Sequence, residues 1–285
     1  MNLVSQQLIM RFKALADPAR LRLAALCGLA ECSVSELTHV TGLSQPRVSQ
    51  HLKALIDAEL LERFRDGHFV YYRVPTSGPE VGARRRLLAL LPRDEPEFAR
   101  DLEKLRMLRG DDTPDGELDA GDRLLHKALV ELTVATPLGD LLDVGCGQGR
   151  LLKLLASRAR RLVGVDIDPA ARRLARAEVL VAGLPNCSLR QGDMYALPFA
   201  DDEFDTVILD DVLADAARPA DAIGEARRLL RPGGRILLLA TTSRQTETRL
   251  RNDFASWAAA TSLRLAPPRS IPENKPGWLL GVATA

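Results

Sequence analysis

The clearest chemistry in this 285-residue chain lies in four aspartates and a run of alternating glycines. The stretch Leu141-Leu142-Asp143-Val144-Gly145-Cys146-Gly147-Gln148-Gly149-Arg150-Leu151 is an apolar run that stops at a carboxylate and then alternates glycine. It reads as a strand feeding a ligand-binding turn. Glycine lacks a Cβ and tolerates φ > 0, so Gly145, Gly147 and Gly149 let the backbone bend sharply and lie against a bound molecule. A dinucleotide fingerprint would need a further glycine at position 150, where the chain has Arg150, so no pyrophosphate seat is implied. Asp166 ends a second strand-like run, Arg161-Leu162-Val163-Gly164-Val165-Asp166, 23 residues after Asp143, where a carboxylate can accept from both hydroxyls of a ribose. Asp193 stands in Gln191-Gly192-Asp193-Met194, and Asp210 ends Phe204-Asp205-Thr206-Val207-Ile208-Leu209-Asp210. Singly, each aspartate reads as a solvated loop carboxylate, and the segment at Asp193 as a plain turn. Together, at strand ends where open α/β sheets place their ligands, they outline one site for a nucleotide-like molecule. Asp168, before Pro169, reads as a helix cap instead.

A second constellation lies near the N-terminus. Ser44 precedes Gln45-Pro46-Arg47-Val48-Ser49-Gln50-His51-Leu52-Lys53-Ala54-Leu55, a helix with proline in its first turn and Val48, Leu52, Leu55 and Ile56 on one face. The opposite face holds Arg47 and Gln50, which can pair bidentately with guanine and adenine. Ser44, Gln45, Arg47, Ser49, Gln50 and Lys53 are therefore candidate DNA contacts, with Lys53 at phosphate. Upstream, the spacing predicts helices over 6–29 broken at Asp17-Pro18, a capping box from Ser33 to Glu36 and a turn at Thr41-Gly42-Leu43. Downstream, two strand-like runs flank Asp66-Gly67, a hairpin turn. Arg65 and His68 flank its tip and either reach DNA or only solvate the turn.

Composition sets the frame for both. The chain is 46% hydrophobic and 27% charged, which is ordinary for a globular protein. No run reaches the ~20 apolar residues of a membrane span, and the first 16 residues lack a signal-peptide core, so a cytoplasmic location is expected. Residues 1–91 carry 12 Lys and Arg against 8 Asp and Glu, while the whole chain is +1. A basic head on a mildly acidic remainder points to a polyanion partner for the head. Cys27, Cys32, Cys146 and Cys187 form no C-x-x-C pair and read as reduced thiols. Cys27 and Cys32 are either buried structural thiols or a redox or metalloid switch.

The segment Leu15-Ala16-Asp17-Pro18-Ala19-Arg20-Leu21-Arg22-Leu23 strongly resembles the opening of ArsR/SmtB-type winged-helix regulators. The resemblance covers about 8–91 and implies a winged helix-turn-helix that binds an operator as a homodimer, pairing through a helix over Pro79–Leu91. Metal sensors of that family carry a cysteine pair where this chain has Ser33 and Ser35, so no metal is expected. The run D-x-G-x-G-x-G from Asp143 resembles motif I of class I S-adenosylmethionine-dependent methyltransferases, and Leu230-Arg231-Pro232-Gly233-Gly234-Arg235-Ile236 resembles the turn into the fifth strand of ubiquinone/menaquinone-type members. This implies an α/β, Rossmann-like domain with a seven-stranded mixed sheet. It also implies a cofactor site for S-adenosylmethionine or S-adenosylhomocysteine: Asp143, Gly145, Cys146, Gly147 and Gly149 at the methionyl part, Asp166 at the ribose, Asp193 and Met194 at the adenine, with Ile167 also in the site. Asp210 either touches the cofactor or acts as a base; it is the one catalytic candidate. The expected organisation is a winged-helix domain at 1–91, a helical spacer and linker at 92–117, and the methyltransferase-like domain at 118–285.

Fusions resembling this one are associated with methionine-cycle control, so the leading expectation is a regulator whose second domain receives the cofactor or its product as effector. The alternatives are a working methyltransferase on an unknown small-molecule or protein acceptor with an autoregulatory winged helix, and an N-terminal module that binds protein without DNA.

Overall fold

The computed structural model describes residues 3–67, 69–76, 78, 80–91, 95–110, 120–243, 245–273 and 277–284. His68 and the joint expected over 111–116 lie outside the described residues. The chain divides into two compact units, Met1–Thr113 with Arg176–Pro185, and Pro114–Ala175 with Asn186–Ala285.

In the first unit, α1 (Leu3–Leu15) and α2 (Pro18–Leu29) break where the sequence predicts, because the Asp17 carboxylate accepts from the Arg20 amide at 3.0 Å and Pro18 opens α2. The capping box forms as well. Between β1 (Cys32–Ser33) and α3 (Val34–Thr41), the Glu36 carboxylate accepts from the Ser33 amide at 2.7 Å and the Ser33 hydroxyl from the Glu36 amide at 3.3 Å. Gly42, at φ 70°, ends α3. In α4 (Gln45–Asp57), Val48, Leu52 and Leu55 are buried, and Ser44 holds the cap position without a side-chain capping bond.

The hairpin departs from expectation by one residue. In β2 (Glu62–Asp66) and β3 (Phe69–Arg73), Asp66 pairs with Phe69 and is buried, so it is a strand residue. The turn begins at Gly67, whose φ of 61° supplies the left-handed geometry that a two-residue hairpin needs at its first position. β1 adds to the free edge of β3, with Cys32 opposite Tyr72. α5 (Val81–Leu88) is shorter than the expected helix, and α6 (Pro96–Arg109) buries Phe98 and Leu105 while Asp101 accepts from Arg22 at 2.6 and 2.8 Å.

The second unit is α7 (Ala120–Ala135), β4 (Asp140–Val144), α8 (Arg150–Leu155), β5 (Arg161–Asp166), α9 (Pro169–Val181), β6 (Cys187–Gln191), β7 (Phe204–Asp210), α10 (Pro219–Arg228), β8 (Leu230–Thr241), α11 (Glu247–Ala260), β9 (Arg264–Leu265), β10 (Arg269–Ile271) and β11 (Trp278–Thr284), with α9 crossing the division of the chain. The sheet order is β10-β11-β8-β7-β4-β5-β6, with the two-residue β9 on β11 as an eighth strand. The β6-to-β8 block is parallel, and β11 and β10 run antiparallel to their neighbours. Strands such as β4 and β7 are buried on both faces, which is why they read as continuous apolar runs rather than alternating ones. Leu230 to Arg235 oppose only Phe204 to Thr206, so the Pro-Gly-Gly residues sit in a bulge rather than before the strand. From β4 the chain builds outward to β5 and β6, then returns to the other side of β4 to lay down β7 and β8. Ligands of open α/β sheets bind at the carboxyl ends of strands beside such a switch.

Candidate functional site

The carboxyl end of β4 sits at that switch. The Asp143 side chain is fully buried, and neither of its oxygens has a hydrogen-bond partner among the described residues. Burial pushes its carboxyl well above the usual carboxylate range; the charges of Asp210 and Asp166 add to this and Arg150 opposes it. A buried, unpaired acceptor is costly unless a ligand donor meets it. All three motif glycines have positive φ, but for different reasons. A Cβ on Gly145 would stand 2.1 Å from Val212 Cγ1, and one on Gly149 3.3 Å from Ala175 Cβ, so these two serve packing. The nearest such neighbour at Gly147 is the Gly145 carbonyl oxygen at 4.0 Å, which leaves this residue open to a ligand.

Asp166 is held by the turn that it serves. One of its oxygens accepts from the Gly147 amide at 2.9 Å, the other from the Asp168 amide at 2.9 Å, and Arg172 donates to its carbonyl at 2.8 Å. Each carboxylate oxygen has a further lone pair for a hydroxyl. Asp168 accepts from the Ala170 amide at 2.9 Å, a cap as expected. Ile167 is 65% exposed beside it, an apolar surface for a flat ring. Asp193 is exposed and accepts from the Tyr195 amide at 3.0 Å, so one oxygen closes a turn; Met194 beside it is half-buried.

Cys146 points its side chain into the sheet. Its amide donates to the Val165 carbonyl at 3.0 Å, and its thiol packs inward, 2.9 Å from where a Gly164 Cβ would stand. The residue faces the sheet because the first step of the turn folds back onto β5. Burial pushes the thiol far up, out of thiolate range.

Residue-type reasoning missed Arg150. Its guanidinium lies 3.2 Å from Asp210 and stacks on the Trp278 ring with 4.1 Å to the centroid. The only signal was its position, one residue past the last glycine. For the expected sulfonium cofactor the donor set fits: Asp143 for the ammonium, Arg150 for the carboxylate, Asp166 for the ribose hydroxyls. Asp210, nearly buried and paired with Arg150, is placed to position that arginine.

The second candidate surface is α4. Ser44, Gln45, Arg47, Ser49, Gln50 and Lys53 are all exposed, as is Arg65 in β2. The buried Val48, Leu52 and Leu55 fix this polar face outward. Cys27 and Cys32 are buried free thiols, and the Cys27 thiol is pushed up by its contact with Cys32 and by burial, which favours inert structural thiols. Among the described residues, no group of His, Cys, Asp or Glu could hold a metal ion, and no helix is long and apolar enough to cross a membrane.

Two segments of the chain match known families. Residues 17–63 match the model of the bacterial regulatory protein, arsR family, and residues 142–238 match that of a methyltransferase domain. The chain joins an ArsR-family segment to a methyltransferase domain. The ArsR segment runs from the cap of α2 into β2 and contains α4 whole; the methyltransferase domain runs from β4 into β8 and contains every cofactor candidate. An uncharacterized 37.1 kDa protein in a Streptomyces fradiae transposon is 36% identical over 41% of this chain and 34% of its own length. A "Probable S-adenosylmethionine-dependent methyltransferase" of Mycolicibacterium smegmatis is 36% identical over 38% of this chain and 39% of its own. The ubiquinone/menaquinone biosynthesis C-methyltransferase of Dinoroseobacter shibae is 39% identical over 41% of this chain and 48% of its own. The chain thus spans between a third and a half of the length of these relatives.

Proposed function

We propose that the chain is a DNA-binding transcriptional regulator whose methyltransferase domain binds S-adenosylmethionine or S-adenosylhomocysteine as effector. It acts as a cytoplasmic homodimer on an operator of methionine-cycle genes. The observation that carries the cofactor half is the unpartnered, buried Asp143 carboxylate beneath a glycine turn. It supports a cationic ligand group there, with Gly147 open above it and Asp166 held for a ribose. S-adenosylmethionine, when bound, supplies an electrophilic methyl group; the protein's part is alignment. The DNA half is supported by the ArsR match and by the exposed Arg47, Gln50 and Lys53 face, whose side chains suit guanine, adenine and phosphate. A two-fold partner is supported by the row of exposed apolar residues on α1, Leu8, Ile9, Met10 and Phe12, and by Leu90 beyond α5. Two reading heads also supply the affinity that one small head lacks.

A ligand shifts DNA affinity only if it binds the DNA-competent and incompetent forms unequally. The test is calorimetric titration of both ligands into wild type and Asp166→Ala, followed by affinity for DNA from the protein's own promoter with and without each ligand. The expected result is binding that weakens in Asp166→Ala and a change in DNA affinity of about fivefold or more. Binding without any change in DNA affinity favours the second reading, a working methyltransferase on a small-molecule or protein acceptor. The observation that favours this second reading is a cavity of about 360 Å³ within the second unit. If neither ligand binds, the cofactor assignment fails.

A further inference from the structure

That cavity has a chemistry of its own. It opens between the loop after β7, the end of β8 and one side of α11, and its volume of about 360 Å³ falls within the ~300–1,000 Å³ of small-molecule pockets. Its apolar walls include Leu213 and Leu250, both nearly inaccessible, and the half-buried Trp257. Its polar groups include Thr241, Asp253 and Arg249. Asp253 and Trp257 are four apart on α11, so carboxylate and indole border the same space.

Two features show that the wall is built. Asp211 holds a left-handed φ of 56°, a conformation that costs a non-glycine residue about 1–2 kcal/mol. Its carboxylate meanwhile accepts from the Thr241 amide at 2.8 Å and the Thr241 hydroxyl at 2.7 Å. This clamp ties the loop after β7 to the end of β8. Along the same loop, Val212 packs against Gly145 of the glycine turn while Leu213 faces the cavity. A molecule in the cavity is therefore separated from the cofactor cradle by the thickness of one loop.

The charges select the ligand. Arg249 is 83% exposed and lies 3.5 Å from Asp253, whose side chain is 33% exposed. Such exposed i,i+4 pairs contribute little, so an incoming cation displaces the arginine at small cost. The indole adds attraction for the same cation. We propose that the cavity binds a small molecule carrying an ammonium group on an apolar, preferably aromatic, body, with the ammonium on Asp253 and the body against Trp257, Leu213 and Leu250. The assignment stands on the cavity and does not require the cofactor reading.

The chain has two tryptophans, Trp257 and Trp278, so an ¹⁵N spectrum of the full-length protein gives two indole signals, told apart with Trp257→Phe. Phenethylamine is the probe, and 3-phenylpropionate, which carries an opposite charge on a similar body, is the control. We expect phenethylamine to shift the Trp257 signal saturably at millimolar concentration and to leave Trp278 in place. Asp253→Asn should weaken this binding at least about tenfold, since it removes a charge-assisted hydrogen bond, while Arg249→Gln should leave it equal or tighter. No shift of Trp257 by phenethylamine overturns the proposal. So does preference for 3-phenylpropionate with loss in Arg249→Gln, or binding indifferent to Asp253→Asn. Both substitutions are at solvent-accessible helix positions, and a wild-type-like spectrum away from α11 verifies folding. Titration with S-adenosylhomocysteine in the same samples reads the cofactor site separately, so failure of either assignment leaves the other measurable.

Discussion

Replacing Asp143 by asparagine should make the methyltransferase domain more stable and a poorer receptor. The wild-type carboxyl is buried without a partner and keeps its proton to well above the usual range, first because burial disfavours the charged form and then because Asp210 lies near. The unfolded chain gives up that proton near pH 4. From there upward the folded state binds more protons than the unfolded one, so stability falls as pH rises, by up to ~1.4 kcal/mol per pH unit while Asp143 stays protonated. Asparagine does not titrate. The stability difference in favour of Asp143→Asn should therefore open above about pH 4, widen with pH, and level off once the folded carboxyl ionises. For a unit of this size each kcal/mol moves the thermal midpoint by about 2–4 °C, so the gap should grow by roughly 3–6 °C per pH unit. Circular dichroism melts of both proteins between mildly acidic and neutral pH read this directly. The same substitution should weaken S-adenosylhomocysteine binding roughly 10- to 150-fold, the value of a hydrogen bond to a charged group. Parallel pH curves, or a variant less stable than wild type at neutral pH, would refute the reasoning, since either requires a partner that compensates the carboxylate.

Two successive glycines of the alternating motif should behave differently. Gly145→Ala drives a Cβ into Val212 at positive φ and should cost roughly 2–5 kcal/mol in denaturant unfolding, whereas Gly147→Ala should cost only about 1–2 kcal/mol yet lose ligand binding in titration. Glu36 is pushed up by burial but held below the ordinary range by Arg109, 2.9 Å away, and by Ser33. Its folded value being depressed, the stability it contributes is present above about pH 4.3 and lost as pH falls through the folded value; Glu36→Gln should flatten the acid limb of the first unit's unfolding curve. In operator titrations, Arg47→Ala should cost about 1–3 kcal/mol and relax specificity at one base, while Lys53→Ala should weaken all sequences alike and lower the salt slope by about 1. Intact operator binding in Arg47→Ala and Gln50→Ala together would remove α4 from the interface.

The sequence conveyed the parts whose chemistry is local. The helix break at Asp17-Pro18 and the Ser33–Glu36 box depend on residues within three of each other, and the glycine turn on a φ sign that side chains restrict, so all three were legible. Strands β4 and β7 were legible because burial on both faces leaves an unbroken apolar run. Contacts set by distant chain were not. Cys146 shares the motif's rhythm but faces Gly164, which only the pairing of β4 with β5 decides. Asp66 looks like a turn residue until its pairing with Phe69 places it in the strand. Arg150 acquires a partner 60 residues on in Asp210 and an aromatic face in Trp278, and β1 and β10, at two and three residues, are too short for any pattern to show.

The loop after β7 does its work by alternation: Val212 looks one way to Gly145, Leu213 the other way to the cavity. Its length is thus as constrained as its composition. One residue inserted between Asp211 and Val212 would exchange the two sides, pressing a new side chain on the glycine turn and withdrawing Leu213 from the cavity wall, while the Asp211–Thr241 clamp held the start of the loop in place. Residues at 213, 214 and 216 can change to reshape the cavity without touching the cradle; the spacing between 211 and 213 cannot, so the two pockets can diverge in what they bind but not in how far apart they lie.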